Sequence, residues 1–378
     1  MIDYEFLRFI WWVLVCVLLI GFVITDGFDM GMANLLPFMA KKEVEKRILI
    51  NSVAPHWDGN QVWLLTAGGA MFAAWPIVYA ASFSGFYIAM ILVLAALFFR
   101  PLAFDYRSKV DGGKWRSAWD WGMFLSGFVP SLVFGVAFGN LLQGVPFEFN
   151  DLMQVKYTGS FFELLNPFAL LCGLISFAML TTHGAAWLQM KTTDELRNRA
   201  RAVTQTGAFA TLILFVLAGV WLLFKEGYIV TSEIDHFAPS SPLGKTVETA
   251  VGAWFNNYNE MPVLYIIPAL VVIGALANIG ASKANRSGSA FFFSSLTMIG
   301  VILTCAVAMF PFVMPSITHP EMSLLMWDST SSELTLTLML IFALIFVVIS
   351  LAYTIWSYVK MFGRLDAEFI EENKNSLY

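Results

Sequence analysis

The chain has 378 residues, of which 58% are hydrophobic and 13% charged, and its mean hydropathy is +0.70. A soluble domain carries about 25% charged residues, so a large soluble core is excluded. The charges that are present clump between long apolar runs, the pattern of a polytopic membrane protein. The net charge of −5 is spread without a basic stripe, which argues against nucleic acid as a partner.

In chain order, Met1-Ile2-Asp3-Tyr4-Glu5 precedes the first apolar run without a basic n-region or a small-residue cleavage site. That run therefore reads as a retained helix rather than a signal peptide. A crossing needs about 20 mostly apolar residues, and nine segments are expected: 9–31, 56–76, 79–99, 121–143, 163–190, 203–224, 263–281, 290–313 and 334–358. Residues 62–99 run together with almost no charge, too long for one crossing. Trp75-Pro76 supplies a helix stop and an interfacial anchor there, so a tight hairpin is expected.

With nine crossings, Arg8, Lys156, Lys225 and Lys245 share the side of the N-terminus, and the other 18 of the 22 Lys and Arg fall opposite. Lys374 is among those 18. The basic excess marks the cytoplasm, which puts the N-terminus in the periplasm and the C-terminus inside. Trp11 and Trp12 at the outer end of the first segment, and Trp119 and Trp121 at the inner start of the fourth, suit interfacial positions. The reading is an all-α polytopic membrane protein. Its longest outside loop, 225–262, is rich in polar and turn residues and too short for a separate domain.

Ionisable groups at membrane depth are costly and default to functional hypotheses. Asp26, Asp29, Asp58, Arg100, Asp105 and Asp120 all fall toward the cytoplasmic ends of the first four segments. Asp58-Gly-Asn-Gln61 reads as an N-cap, and Ser117-Ala-Trp-Asp120 puts a carboxylate in a first helical turn. Glu163 and Glu333 read the same way on the outer side. Asp26 and Asp29 resist this account, because near the C-terminal end of a helix negative charge opposes the dipole. Their i,i+3 spacing puts both on one face, and Gly27 and Gly31 permit close approach of another helix. Two carboxylates there want a cation, a shared proton or water, and Arg100, just before Pro101, is the nearest candidate in depth. The choice lies between a structural ion pair and proton handling.

Cys16, Cys172 and Cys305 each stand alone in an apolar segment, and no CxxC or CxxCH occurs, so no metal site is expected. His236 and His319 fall in outside loops and read as solvated. His56 and His183 lie near helix ends and read as satisfied polar residues rather than haem ligands.

Several stretches together resemble the smaller subunit, subunit II, of cytochrome bd-type ubiquinol oxidases. They are Thr25-Asp-Gly-Phe-Asp-Met-Gly31, His56-Trp-Asp-Gly-Asn-Gln-Val-Trp63, Ala73-Ala-Trp-Pro76, Ser84-Gly-Phe-Tyr87, Phe98-Phe-Arg-Pro101, Phe104-Asp-Tyr-Arg107, Phe138-Gly-Asn-Leu-Leu-Gln-Gly144, Phe310-Pro-Phe-Val-Met-Pro-Ser316 and Trp327-Asp-Ser-Thr-Ser-Ser332. Each is weak alone, but their order and spacing cover essentially the whole chain.

The resemblance implies a terminal respiratory oxidase that oxidises ubiquinol, reduces dioxygen to water and builds a proton motive force without pumping. It implies two four-helix bundles plus a ninth helix, dividing the chain into 1–143, 144–313 and 314–378. It implies a larger haem-bearing subunit I that ligates two haems b and one haem d, with none on this chain. Ubiquinone, membrane lipid and a small accessory membrane peptide are further expected partners, and the bacterial inner membrane is the expected location. Asp58 and Asp105 match positions suggested to line a cytoplasmic proton pathway. Asp26, Asp29, Arg100 and Asp120 read as scaffold charges. Trp63, with Ala67, Gly68 and Gly69, would leave a path for oxygen from lipid unless these residues serve helix packing alone. A proton-coupled secondary transporter is the rival class, but transporters place such acids near the midplane on broken helices, whereas these cluster at one end.

Overall fold

The computed structural model describes residues 3–373 and 376–378; Met1, Ile2 and Lys374, used in the sequence reading, lie outside the described residues. Asp3 caps the first helix by accepting the Phe6 N–H at 2.8 Å, and α1 runs unbroken over Tyr4–Met39. Next come α2 (Glu43–Val53), α3 (Trp57–Ala74), α4 (Pro76–Gly85), α5 (Tyr87–Tyr106) and α6 (Gly113–Leu141). An antiparallel ribbon of β1 (Phe147–Phe149) and β2 (Val155–Tyr157) leads to α7 (Pro167–Lys191) and α8 (Asp194–Leu222). A second ribbon, β3 (Glu226–Val230) with β4 (Val247–Val251), and the short α9 (Asn256–Glu260) precede α10 (Ile266–Lys283) and α11 (Ser287–Met309). A third, β5 (Phe312–Met314) with β6 (Leu324–Leu325), precedes α12 (Glu333–Lys360) and α13 (Ala367–Glu372).

Among the described residues eight segments are long and apolar enough to cross a membrane: α1, α5, α6, α7, α8, α11, α12 and Pro262–Lys283, which contains α10. The segment expected at 56–76 is α3, 18 residues long, whose opening Trp57-Asp-Gly-Asn-Gln61 is polar; it lies along α1. The turn at Trp75-Pro76 differs from expectation. Trp75 closes α3 and Pro76 opens α4 at its first position, where its missing N–H costs nothing. A ten-residue helix packed on β2 and β5, not a tight hairpin, therefore separates α3 from α5.

Other boundaries move because polar residues at helix ends find partners. α1 continues well beyond 31, so Asp26 and Asp29 sit inside it rather than at its end, with roughly 20 Å of helix between Asp26 and Met39 at 1.5 Å per residue. Pro101 does not stop α5, which carries it internally. The first turns of α8 hold Arg197 and Arg201, which donate to the carbonyls of Gln189 (3.2 Å) and Lys283 (2.9 Å).

α7, α8, α10 and α11 pack in a closed ring, while α1 packs on α3, α6 and α7, and α5 on α6. The α1, α6 and α7 contacts are backbone to backbone. A Cβ on Gly31 would fall 2.2 Å from the Leu180 carbonyl oxygen, and one on Gly184 would fall 2.4 Å from the Gly31 carbonyl carbon. On α6, a Cβ at Gly135 would meet the Cys172 carbonyl oxygen at 2.3 Å. Small residues replace hydrophobic drive as the means of helix association in lipid. In contrast, α3, α5 and α12 leave apolar flanks uncovered, including Leu65, Leu94, Phe98, Phe342 and Val348.

The two ends of the bundle differ. The three ribbons, α4 and the start of α1 form one end, tied by Arg8, which donates to Thr330 Oγ1 (2.9 Å) and to the carbonyls of His236 (2.6 Å) and Ala238 (2.9 Å). At the other, charged end lie α2, α13 and the chain's last residues, where Asn51 donates to the Tyr378 carbonyl at 2.8 Å.

Candidate functional site

The i,i+3 spacing of Asp26 and Asp29 aims both carboxylates the same way from α1, and three other helices answer them. Arg100 of α5 donates through Nη1 to Asp26 Oδ1, and both side chains are buried. Asn60 of α3 donates to Asp29 Oδ2 at 2.8 Å, and Tyr358 of α12 donates to Asn60 Oδ1 at 2.5 Å. The His56 ring is stacked on Tyr358 at 4.1 Å. Four polar atoms of this centre, Asp26 Oδ2, Asp29 Oδ1, and Nε and Nη2 of Arg100, are buried without a hydrogen-bond partner.

Asp120 belongs to a separate network nearer the charged end. α6 begins at Gly113, so Asp120 lies beyond its first turn rather than in it. Its carboxylate accepts from Arg107 Nε and Lys46 Nζ, each at 2.6 Å, and Arg107 also grips Glu43 bidentately at 2.7 and 3.0 Å. Beside it Arg199 pairs with Glu45. Burial pushes the Glu45 carboxyl up, but Arg199 and the N–H groups of Lys41 and Lys42 outweigh this and hold it below the usual carboxylate range. Arg107 is a member of this network that spacing did not single out, because its importance lies in two partners on other helices, Asp120 of α6 and Glu43 of α2.

Asp58 and Asp105 join neither network. Both are exposed at the charged end, and neither makes a side-chain hydrogen bond or ion pair within the described residues. Asp58 does not cap α3: His56 flanks that helix, held by its stack on Tyr358, and Asp58 falls inside the first turn. On the opposite end, Glu163 accepts the Ser160 N–H at 3.2 Å, and Ser332 caps α12 with Glu333 in its first turn. His236 is not simply solvated, since it pairs with Glu5 at 2.6 Å and is stacked on Trp327.

Trp63 lies over α1, where a Cβ on Gly21 would come within 2.3 Å of its ring. Nearby, an apolar cavity of about 220 Å³ is lined by residues that include Phe22, Phe134, Phe168, Trp254, Tyr258 and Ile302. Both ring nitrogens of His183 are engaged, at 3.0 Å to Ser294 Oγ and 2.9 Å to the Ile24 carbonyl, and the face of His56 is covered by Tyr358. No cluster of three or more metal-ligating side chains occurs among the described residues.

Residues 7–361 match the family described as cytochrome bd terminal oxidase subunit II. The chain is 76% identical over 378 residues to a probable cytochrome oxidase subunit 2 of Haemophilus influenzae, covering all of both chains. It is 59% identical over 379 residues, again at full coverage, to cytochrome bd-I ubiquinol oxidase subunit 2 of Escherichia coli K12. A cytochrome bd ubiquinol oxidase subunit 2 from Bacillus subtilis is 32% identical, with 92% of this chain and 94% of the relative covered. The structure of bd oxidase from Geobacillus thermodenitrificans superposes with a TM-score of 0.67 at 13% identity, over 95% of this chain and 99% of that one, a likeness of fold.

Proposed function

The chain belongs to the cytochrome bd terminal oxidase subunit II family, and from that premise we propose that it scaffolds the haem-bearing partner and passes cytoplasmic protons to it. Membership makes it a subunit of a terminal respiratory oxidase, a haem-containing oxidoreductase complex of the bacterial inner membrane that includes a subunit I. The complex oxidises ubiquinol, as the names of its Escherichia coli and Bacillus subtilis relatives state for those proteins, and reduces dioxygen to water. It builds a proton motive force without pumping. The two haems b and the haem d sit on subunit I; in this chain the buried His183 spends both ring nitrogens on internal hydrogen bonds. The family match also speaks against the secondary-transporter reading.

We read α3 as a ninth crossing, with the ribbon end in the periplasm and the charged end in the cytoplasm. Bundles 1–143 and 144–313 and the final segment 314–378 follow from that arrangement, and loop 225–262 is structural or a docking surface for subunit I. Lipid and a small accessory peptide would cover outward faces not taken by subunit I.

The observation that carries proton delivery is the pair Asp58 and Asp105. They stand exposed and unpartnered at the charged ends of α3 and α5, two helices with uncovered flanks. A carboxylate without an internal cation is free to take a proton from water and hand it across an interface. Asp58→Asn and Asp105→Asn should slow oxygen reduction about a hundredfold, the low side of what a positioned proton-transfer group contributes, with haem content unaltered. Normal turnover in both variants would sink the assignment. Trp63→Ala tests oxygen access within the same assay, through the oxygen concentration needed for half-maximal rate.

A further inference from the structure

Asp26 and Asp29 are two carboxylates facing one guanidinium in the apolar interior. Ionised together, they would leave one uncompensated negative charge at a depth where unpaired charge is very costly. Among the described residues, the polar groups that answer them come from four helices. Arg100 comes from α5, Asn60 from α3 and Tyr358 from α12, with His56 stacked behind Tyr358. From α7, Leu180 and His183 stand beside Gly27, 2.9 and 3.7 Å from where a Cβ there would be, and the nitrogens of His183 are engaged elsewhere. None of these brings a second positive charge.

The bonding atoms say where neutralisation falls. Asp26 Oδ1 is taken by Arg100 and Asp29 Oδ2 by Asn60. The two remaining oxygens, Asp26 Oδ2 and Asp29 Oδ1, are both buried and without a partner, on carboxyl groups that the i,i+3 spacing sets on one face of α1. A single proton between those oxygens satisfies both at once.

We infer that Asp26 and Asp29 hold one resident proton, carried on Asp29 Oδ1 and donated to Asp26 Oδ2. The chain then has one direction throughout: Tyr358 donates to Asn60, Asn60 to Asp29 and Asp29 to Asp26, with Arg100 donating to Asp26 from the other side. All donors converge on a single anion, Asp26, and successive bonds polarise one another. The centre becomes a neutral clasp joining α1, α3, α5 and α12, with Nε and Nη2 of Arg100 left to bind water. This does not depend on Asp58 or Asp105 carrying protons.

The test is infrared spectroscopy of the intact oxidase, prepared with aspartate 13C-labelled at the carboxyl carbon. A protonated-carboxyl C=O band that moves on labelling and persists from neutral to mildly alkaline pH is expected in the wild type. Asn60→Leu should shift that band to higher frequency, because the Asp29 carbonyl loses its donor. Asp29→Asn should abolish it, and Asp58→Asn should leave it in place. Absence of any such band in the wild-type complex overturns the inference even if the variants fail to assemble. A band indifferent to both Asn60→Leu and Asp29→Asn overturns it equally.

Discussion

Among the described residues Arg100 is the one cation paired with the Asp26 and Asp29 centre, and removing it would strand buried negative charge. Breaking a buried pair by deleting one partner costs about 3–5 kcal/mol, a large share of the stability of any domain. Arg100→Ala should therefore lose assembled complex and haem absorbance rather than slow turnover alone. An assembled variant with full haem content would count against this. At this scale the sequence was informative where a residue violated a local rule. Two acids on one face of an apolar helix have no local explanation, and that anomaly pointed to Arg100. Asn60, Tyr358 and Arg107 obey local rules, so nothing local marked them. Tyr358 meets Asn60 across 298 residues of chain, a contact that periodicity cannot express. The capping roles read for Asp58 and Asp120 failed because both helices start earlier in the chain, α3 at Trp57 behind His56 and α6 at Gly113, well before Asp120.

At the scale of elements, hydropathy located the apolar middles of the helices well and their ends poorly. The 263–281 and 334–358 segments are close to Pro262–Lys283 and Glu333–Lys360, whereas α1 and α8 run far beyond their apolar cores. Polar and charged turns extend those helices because other parts of the chain bond them. The ten-residue α4 was hidden in an apolar run because hydropathy alone does not show where one helix ends and a short one packed on the ribbons begins. Helix packing was legible at Gly31 but not its partner, Gly184 of α7. Gly184→Leu would drive a side chain into the α1 backbone, which cannot yield as a side-chain tip can. We expect it to exceed the ~1–3 kcal/mol typical of overpacking and to lower the thermal melting point of the purified complex sharply. An unchanged melting point would show that α1 and α7 can separate freely at this crossing.

For the molecule as a whole, the ordered motifs carried the family and the uneven Lys and Arg distribution carried the expected orientation, while the proposed division of labour between subunits rests on that family together with the exposed acids at the charged end of this chain. α3, α5 and α12 leave apolar flanks open, so the fold is completed by neighbours in the membrane. The most direct measurement is to purify the oxidase through a tag on this chain, record its visible spectrum, and then separate the subunits. The account predicts that a larger subunit co-purifies and takes the whole haem signal with it, leaving this chain colourless. Haem retained by the isolated chain, or a colourless, partnerless protein that moves solute in liposomes, would contradict it.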